Sequence, residues 1–360
     1  MSPPSLPPRI AVVIPSYRVC GHVLDVIARI GPEVASIYVV DDACPDGSGE
    51  LVRRECHDPR VTVLTHGINQ GVGAATLTGM RRATEEGATV VVKIDGDGQM
   101  DPALLPRIVR PILEGEADYA KGNRFHDLDR LREMPTVRLI GNAALSFFSK
   151  LSSGYWNVFD PTNGYVAIHG DVLMELPHDK IAHRYFFESD MLFRLNLARA
   201  VVVDVPMTAR YRDETSNLRI GEEIPRFLVA HLRNLLKRLF YSYILRDVSI
   251  ASIYLLLAFL LLPTGGLLGV AGWSWNAAHG VPATAGTVML AGLPVILGVQ
   301  FLVAFLAYDT GAVPQRPIHK RLRPLPLPDA PLRTPSGTDV KKATDPQSGE
   351  NLPNTLVDGA

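Results

Sequence analysis

Apolar and polar positions alternate in blocks over the first part of the chain. Apolar, β-branched runs of strand length occupy 9–17, 36–40, 61–64, 88–94, 117–120 and 201–205. Segments with helical spacing lie at 23–30, 50–56, 70–86, 137–151 and 186–200. Strand and helix therefore follow one another in turn, which predicts a mostly parallel, doubly wound α/β sheet.

A different pattern begins near the C-terminus, where charged residues disappear. No Asp, Glu, Lys or Arg occurs from position 248 to 308. Within this region, 250–273 and 285–308 are each long enough to cross ~30 Å of hydrocarbon at ~1.5 Å per residue. Pro263 and Pro294 are tolerated in such segments. The pattern predicts two transmembrane helices that form a hairpin.

The segment before the hairpin predicts an amphipathic helix lying in the membrane interface. Positions 222–247 carry apolar residues at three- and four-residue spacing, with basic residues beside that stripe. Basic residues also follow the hairpin, whereas the loop at 274–284 contains no Lys or Arg. The positive-inside rule then places the α/β domain and both termini in the cytoplasm.

These patterns divide the chain into five parts. They are a disordered arm at 1–8, the α/β domain at 9–221, the interfacial helix at 222–247, the two spans at 250–308, and a basic, then disordered, Pro-rich tail at 309–360.

Composition narrows the classes of partner. The formal net charge is −1 over 360 residues, which gives no long-range field for nucleic acid, so we predict no nucleic-acid partner. Local basic patches still suit anionic lipid. The three cysteines are odd in number and lack metal-ligand spacing, which predicts reduced cytoplasmic thiols.

Polar residues follow three of the predicted strands. They are Ser16-Tyr17, Asp41-Asp42 and Asp95-Gly96-Asp97. Because ligands bind outside the carboxyl ends of parallel strands, these residues are expected to line one crevice. Two carboxylates separated by glycine suit Mg²⁺ or Mn²⁺ under a nucleotide diphosphate, although Asp-Gly-Asp-Gly is also ordinary turn chemistry.

Two common nucleotide motifs are missing. No Gly-x-Gly-x-x-Gly follows the first strand, and no Gly-x4-Gly-Lys-[Ser/Thr] occurs, which disfavours a dinucleotide enzyme and a P-loop protein. The small residues from Asn69 to Ala75 begin a predicted helix. They either let the backbone approach a ligand or allow close packing of the helix on the sheet.

Taken together, these motifs resemble the family 2 glycosyltransferases of GT-A fold, and among them the polyprenyl-phosphate sugar transferases. The resemblance covers about 9–221 and rests on Val13-Ile14-Pro15-Ser16-Tyr17, Val39-Val40-Asp41-Asp42, Asn69-x-Gly71-x-Gly73 and Asp95-x-Asp97-x-Gln99-x-Asp101-Pro102. It implies a donor site that contains Pro15, Tyr17, one or both of Asp41 and Asp42, Gly71 and Asp95. It also implies that Asp95, Asp97 and Gln99 hold Mg²⁺ or Mn²⁺.

The resemblance further implies an acceptor-phosphate site. Its expected members are Arg124, Arg138, Arg212 and Ser216. The sequence from Glu214 to Asn217 departs from the family's usual Gly-Ser-Lys ending. Asp190 is open to three interpretations: capping of its helix, a general base for a hydroxyl acceptor, or a positioning group beside an acceptor that is already ionised.

The function implied is an inverting, metal-dependent transfer of a sugar from a nucleotide-sugar to a polyprenyl phosphate at the membrane. The alternatives are transfer to a hydroxyl of a glycan or a lipid-linked saccharide with Asp190 as base, a metal-dependent nucleotidyltransferase, and a sugar-nucleotide-binding protein without turnover. The sequence leaves open the sugar, the nucleotide and whether the chain forms a homo-oligomer.

Overall fold

A seven-stranded sheet forms the centre of the first domain. The protein is represented by a computed structural model that describes residues 7–126, 136–207 and 220–322. The strands are β1 (Ile10–Ser16), β2 (Val34–Asp41), β3 (Val61–Thr65), β4 (Val90–Lys93), β5 (Tyr119–Asn123), β6 (Val166–His169) and β7 (Val202–Pro206). Their order across the sheet is β3-β2-β1-β4-β6-β5-β7.

The prediction of a mostly parallel sheet is confirmed, with one strand added. β6 was not predicted, and it runs antiparallel between β4 and β5. It has only four residues, all buried, so neither length nor alternation marks it in the sequence. The remaining neighbours pair in parallel.

Helices cover both faces of this sheet. In chain order they are α1 (Val23–Ala28), α2 (Ser48–Glu55), α3 (Val72–Glu85), α4 (Leu105–Leu113), α5 (Thr136–Ser153), α6 (Gly170–Met174) and α7 (Phe187–Ala198). Alternate residues of β1 belong to two separate cores: Ala11 and Val13 to one, Val12 and Ile14 to the other. Burial on both faces explains why the strands are continuously apolar.

The predicted interfacial segment forms helix α8 (Ile220–Phe240), followed by a π-helical turn at Tyr241–Arg246. Its exposed row is apolar and repeats every four residues: Ile224, Leu228, Leu232, Leu236 and Phe240. Its buried row is polar and consists of His231, Asn234 and Arg238. The helix therefore packs its buried polar row on the α/β domain and presents its apolar row outward.

The buried polar row has partners in the domain. His231 Nδ1 lies 2.8 Å from Ser152 Oγ, and burial lowers the pKa of His231 to about 4, so it is neutral at physiological pH. Asn234 Nδ2 donates to Asp190 Oδ1 at 2.9 Å. These contacts fix which side of α8 faces the protein.

Two helices follow that are long and apolar enough to cross a membrane: α9 (Ile250–His279) and α10 (Ala285–Gly311). Only 11% of the most apolar window of each is buried within the protein. α9 extends beyond the predicted end, so the connection is shorter than the predicted loop. A Cβ on Gly298 would lie 2.8 Å from Leu262 Cγ, so glycine is needed there for close helix packing. A last short helix, α11 (His319–Leu322), returns to the domain.

Asp309, near the end of α10, joins these parts. Its carboxylate accepts hydrogen bonds from Arg238 of α8 at 2.6 and 3.0 Å, from Tyr243 Oη at 2.5 Å and from Trp156 Nε1 at 2.9 Å. The Arg238 and Asp309 side chains are 3% and 1% exposed. One carboxylate therefore connects the α/β domain, helix α8 and the second apolar helix.

Asp309→Ala is expected to lower the free energy of unfolding by about 3–5 kcal/mol, because it leaves the buried Arg238 guanidinium without its counter-charge. Thermal unfolding of the detergent-solubilised protein measures this. Thr310→Ala, at the exposed neighbouring position, is the matched control. Asp309→Leu combined with Arg238→Met should recover part of the loss. If Asp309→Ala unfolds at the same temperature as the control, the role given to this carboxylate is wrong.

Candidate active site

The three polar strand ends meet at one edge of the sheet, as the sequence predicts. β1 lies between β2 and β4, with Ser16 opposite Asp41 and Val13 opposite Lys93. The Asp95-Gly96-Asp97 turn leaves β4 at the same edge. The parallel neighbours therefore bring these groups together.

A buried lysine supports the first aspartate of that turn. Lys93 Nζ lies 2.8 Å from Asp95 Oδ1 and 3.1 Å from Glu188 Oε1, and the Lys93 side chain is 1% exposed. Burial disfavours the ammonium ion, but the two carboxylates outweigh it and raise the pKa of Lys93. The lysine is therefore charged and fixes Asp95 against helix α7.

The second aspartate lies at the open side of the turn. Asp97 is half-buried, and its Oδ1 accepts the Gln99 backbone N–H at 3.0 Å. Asp101 caps the short helix that follows, accepts the Ala103 N–H at 3.2 Å and pairs with Arg29. Asp101 thus stabilises the turn, whereas Asp95 and Asp97 remain as the carboxylates at its rim.

These residues suit a hard divalent cation only in part. No group of three His, Cys, Asp or Glu side chains with metal-binding geometry occurs in the described residues. Mg²⁺ typically takes one or two protein carboxylates and completes its shell with water and substrate phosphates. The oxygens of Asp95, Asp97 and Gln99 fit that arrangement if a diphosphate supplies the remaining ligands.

Asp41 and Asp42 are both buried and bound to backbone N–H groups. Asp41 accepts from Cys44 at 2.8 Å and from Gly49 at 2.9 Å. Asp42 accepts from Gln70 at 2.9 Å and from Gly71 at 2.7 Å. The Asp42 carboxylate also lies 2.7 Å from His66 Nδ1. Both aspartates hold the loops at this edge, and a contact with the nucleoside stays a prediction.

The two other residues predicted to bind the donor, Pro15 and Tyr17, differ in accessibility. Pro15 is buried in the strand opposite Val40, whereas Tyr17 is 42% exposed beyond its end. The Arg18 guanidinium lies 5.5 Å from the centre of the Tyr17 ring. Of the two, Tyr17 offers the larger surface to a ligand.

Gly71 and Gly73 allow a close approach of another loop. Gly71 has φ of 101°, and a Cβ there would lie 2.6 Å from the His183 carbonyl oxygen. A Cβ on Gly73 would lie 2.5 Å from the Ala182 oxygen. The His183 oxygen also accepts the Ala74 N–H at 3.0 Å. In the structure, the backbone of the 182–184 loop packs against both glycines. The small residues of this motif therefore allow close packing within the protein.

Arg124, predicted to bind phosphate, pairs with a buried carboxylate. Its Nε and Nη2 donate to Asp160 Oδ2 and Oδ1 at 2.8 and 3.0 Å, and Asp160 is 1% exposed. Asp160 lies in the segment between α5 and β6. The side chain of Arg138, on α5, lies outside the described part of the structure, as do Arg212 and Ser216.

Asp190 accepts three hydrogen bonds and is 4% exposed. Ala182 N and Arg194 Nε donate to Oδ2 at 2.9 and 3.0 Å, and Asn234 Nδ2 donates to Oδ1. The carboxylate therefore ties the 182–184 loop and α7 to the interfacial helix.

Sequence reasoning missed the cluster of Lys93 and Glu188, and the buried state of Lys121. Lys121 donates to the Asn163 carbonyl, and burial lowers its pKa to about 8. The signal available in the sequence was a lysine at the inward-facing end of an apolar strand. Such a lysine indicates a buried partner, because a buried lysine requires a carboxylate or several acceptors. The sequence does not indicate which distant residue supplies it.

Comparison with known proteins agrees with this arrangement. The model of the family described as Glycosyl transferase family 2 matches residues 11–176. An undecaprenyl-phosphate mannosyltransferase of Micrococcus luteus is 33% identical over 204 residues, which cover 56% of this chain and 83% of the relative. A polyprenol monophosphomannose synthase of Mycolicibacterium smegmatis is 32% identical, with coverage of 57% and 78%.

A relative with a different sugar matches over a similar share. The UDP-N-acetylglucosamine–dolichyl-phosphate N-acetylglucosaminyltransferase of Methanococcus voltae is 27% identical, with coverage of 60% of this chain and 92% of the relative. A solved structure of glucosyl-3-phosphoglycerate synthase from Mycobacterium tuberculosis, with Mn²⁺, uridine diphosphate and phosphoglyceric acid, aligns at 20% identity with a TM-score of 0.48. That alignment covers 64% of this chain and 78% of the other.

The strand order, the acidic edge of the sheet formed by Asp41, Asp42, Asp95 and Asp97, and the similarity to these relatives define a glycosyltransferase of α/β fold. The chain belongs to glycosyl transferase family 2.

Lys93→Met is expected to destabilise the domain by about 3–5 kcal/mol, because it leaves the buried Glu188 and the half-buried Asp95 without their shared cation. The unfolding temperature and the rate of sugar transfer should both fall. Arg110→Gln is the control, since its ion pair with Glu114 is exposed and should contribute less than about 1 kcal/mol. If the additional change Glu188→Leu recovers none of the lost stability, the cluster does not act as described.

Proposed function

We propose that this protein transfers a sugar, with inversion, from a nucleotide-sugar to the phosphate of a polyprenyl lipid at the membrane. The observation that carries the proposal is the match to relatives named for undecaprenyl, polyprenol and dolichyl phosphates. Their sugars differ, so the shared feature is the acceptor. The two apolar helices beside the catalytic domain suit a lipid acceptor of this kind.

The chemistry needs little proton transfer. A phosphate monoester has a second pKa of ~6 and is largely a dianion at neutral pH, so its oxygen attacks the anomeric carbon directly. The nucleoside diphosphate leaves from the opposite face, which inverts the configuration. The protein's task is to orient both phosphates and the sugar.

A divalent cation, Mg²⁺ or Mn²⁺, is part of the proposal. Asp95, Asp97 and Gln99 would hold it against the donor diphosphate, and it would stabilise the negative charge of the leaving group. Lys93 fixes Asp95 from below, so the rim keeps its geometry when the ligand departs. Tyr17 and the loops held by Asp41 and Asp42 would surround the nucleoside. The acceptor phosphate would be bound by Arg124, Arg138, Arg212 and Ser216.

The environment of Asp190 favours a phosphate acceptor over a hydroxyl acceptor. A general base needs an oxygen within hydrogen-bond reach of the substrate proton. Both Asp190 oxygens already accept N–H donors, and one of these comes from the interfacial helix. We therefore assign Asp190 a positioning role: from α7 it holds the loop that meets Gly71 and Gly73.

Membrane placement completes the proposal. The apolar row of α8 would lie in the interface, α9 and α10 would span the bilayer, and the catalytic domain with both termini would lie in the cytoplasm. This arrangement brings the acidic edge within reach of a lipid phosphate without removing the nucleotide-sugar from the aqueous phase.

Asp97→Ala is expected to reduce transfer by at least ~10²-fold, because a rim carboxylate under the leaving diphosphate is lost. Transfer of radiolabelled sugar to polyprenyl phosphate, with Mn²⁺ varied, measures the effect. Electron paramagnetic resonance should show weaker Mn²⁺ binding in the presence of nucleoside diphosphate. Asp25→Ala, with an exposed carboxylate, is the control. Near-normal turnover of Asp97→Ala at saturating metal would remove this residue from the site.

The lipid product tests the acceptor class. We expect a sugar phosphodiester that is labile to mild acid, identified by mass spectrometry after incubation with UDP-, GDP- and dTDP-sugars. Asp190→Asn should keep more than about a tenth of the rate per folded molecule, since general-base catalysis typically supplies ~10²–10⁴-fold and is not required here.

Asn234→Ala controls for structural loss, because it removes one donor to Asp190 and leaves the carboxylate in place. An acid-stable glycoside, together with a loss of ~10²-fold or more confined to Asp190→Asn, would instead establish the hydroxyl-acceptor enzyme. Nucleotidyl transfer, or binding without release of nucleoside diphosphate, would exclude both.

A further inference from the structure

We propose that the cavity between α8 and the loop before α7 binds the phosphate group of an anionic phospholipid, separately from the acceptor. The cavity has a volume of about 780 Å³. Its walls carry six basic side chains: Lys180, Arg184, Arg194, Arg226, Arg233 and Lys237.

Few carboxylates line this cavity. Asp190 is the one carboxylate among the lining residues, and it pairs with Arg194 at 3.0 Å. In the described part of the chain, no carboxylate forms an ion pair with Arg233 or Lys237. Burial and the charges of Arg233 and Arg194 together lower the pKa of Lys237. A bound phosphate would relieve this repulsion through charge-assisted hydrogen bonds.

The shape of the site suits an amphiphile better than a free anion. Phe186 and Phe227 line the cavity beside the cations, with ring centres 5.5 Å apart. On α8, Arg226, Arg233 and Lys237 fall on one side of the exposed apolar row. A helix with this row in the interface carries its neighbouring cations at the level of the lipid headgroups.

The cavity also shares a wall with the donor site. Ala182 and Arg184 line it, and the intervening His183 oxygen faces Gly71 and accepts the Ala74 N–H. Asp42 binds the Gly71 N–H from the other side. An anion held by Arg184 would therefore order the 182–184 loop against the start of α3, which predicts a lower KM for the nucleotide-sugar when the lipid is bound.

The test uses the full chain in a neutral detergent. Soluble dioctanoyl phosphatidylglycerol and dioctanoyl phosphatidylcholine are titrated, and binding is measured by native mass spectrometry and by the unfolding temperature. The double variant Arg233→Gln/Lys237→Gln should weaken phosphatidylglycerol binding by about tenfold or more, since two charge-assisted bonds are lost. The variant Lys180→Gln/Arg184→Gln, on the opposite wall of the cavity, should weaken phosphatidylglycerol binding to a similar extent. Because the two variants change different walls, the test does not depend on the folding of either one.

The matched control is Arg316→Gln/Arg321→Gln, which removes two exposed charges after the second apolar helix, away from the cavity. It should bind phosphatidylglycerol like the unaltered protein. Phosphatidylcholine should bind weakly to every variant, and the KM for nucleotide-sugar should fall with phosphatidylglycerol only where the cavity cations are intact.

Three results would overturn the proposal. Equal phosphatidylglycerol binding by the cavity variants and the control would show that the lipid binds elsewhere. Inorganic phosphate that displaces phosphatidylglycerol at comparable concentration would identify a site for free anions. Polyprenyl phosphate binding that depends on the cavity cations, without phosphatidylglycerol binding, would assign the cavity to the acceptor.

Discussion

The arrangement of the whole molecule depends on the buried carboxylate of Asp309. A charged group at the end of an apolar helix is costly unless its oxygens are satisfied, and here Arg238, Tyr243 and Trp156 supply four hydrogen bonds. Each donor comes from a different part of the chain. The position of the hairpin relative to the sheet is therefore set by a specific polar contact, since apolar packing alone has little directional preference.

The same principle operates at the acidic edge of the sheet. A parallel sheet brings carboxylates together at its strand ends, where their mutual repulsion opposes folding. Lys93 offsets that repulsion from inside the core, and backbone N–H groups donate hydrogen bonds to the carboxylates of Asp41 and Asp42. Asp95 and Asp97 lie in the turn that follows β4 at the same edge, where Lys93 pairs with Asp95.

The helix α8 is connected to the domain through its buried polar row. It reverses the usual amphipathic arrangement, because its polar row is buried against the domain and its apolar row is exposed. Through Asn234 it contacts Asp190, and Asp190 in turn holds the loop that packs on Gly71 and Gly73. The exposed apolar row of α8 and the loops at the strand ends are thus linked by a short series of direct contacts.

The sequence by itself determined the alternating elements, the acidic strand ends, the two apolar helices and the amphipathic segment, because these depend on local periodicity and on charge along the chain. The tertiary structure alone decided that β6 enters antiparallel between β4 and β5, that Lys93 meets Glu188, that Arg124 meets Asp160, and that Arg238 turns inward to Asp309. Those contacts join residues far apart in sequence. Periodicity indicates which side of an element is buried, but the partner of a buried charge is fixed only when the elements pack.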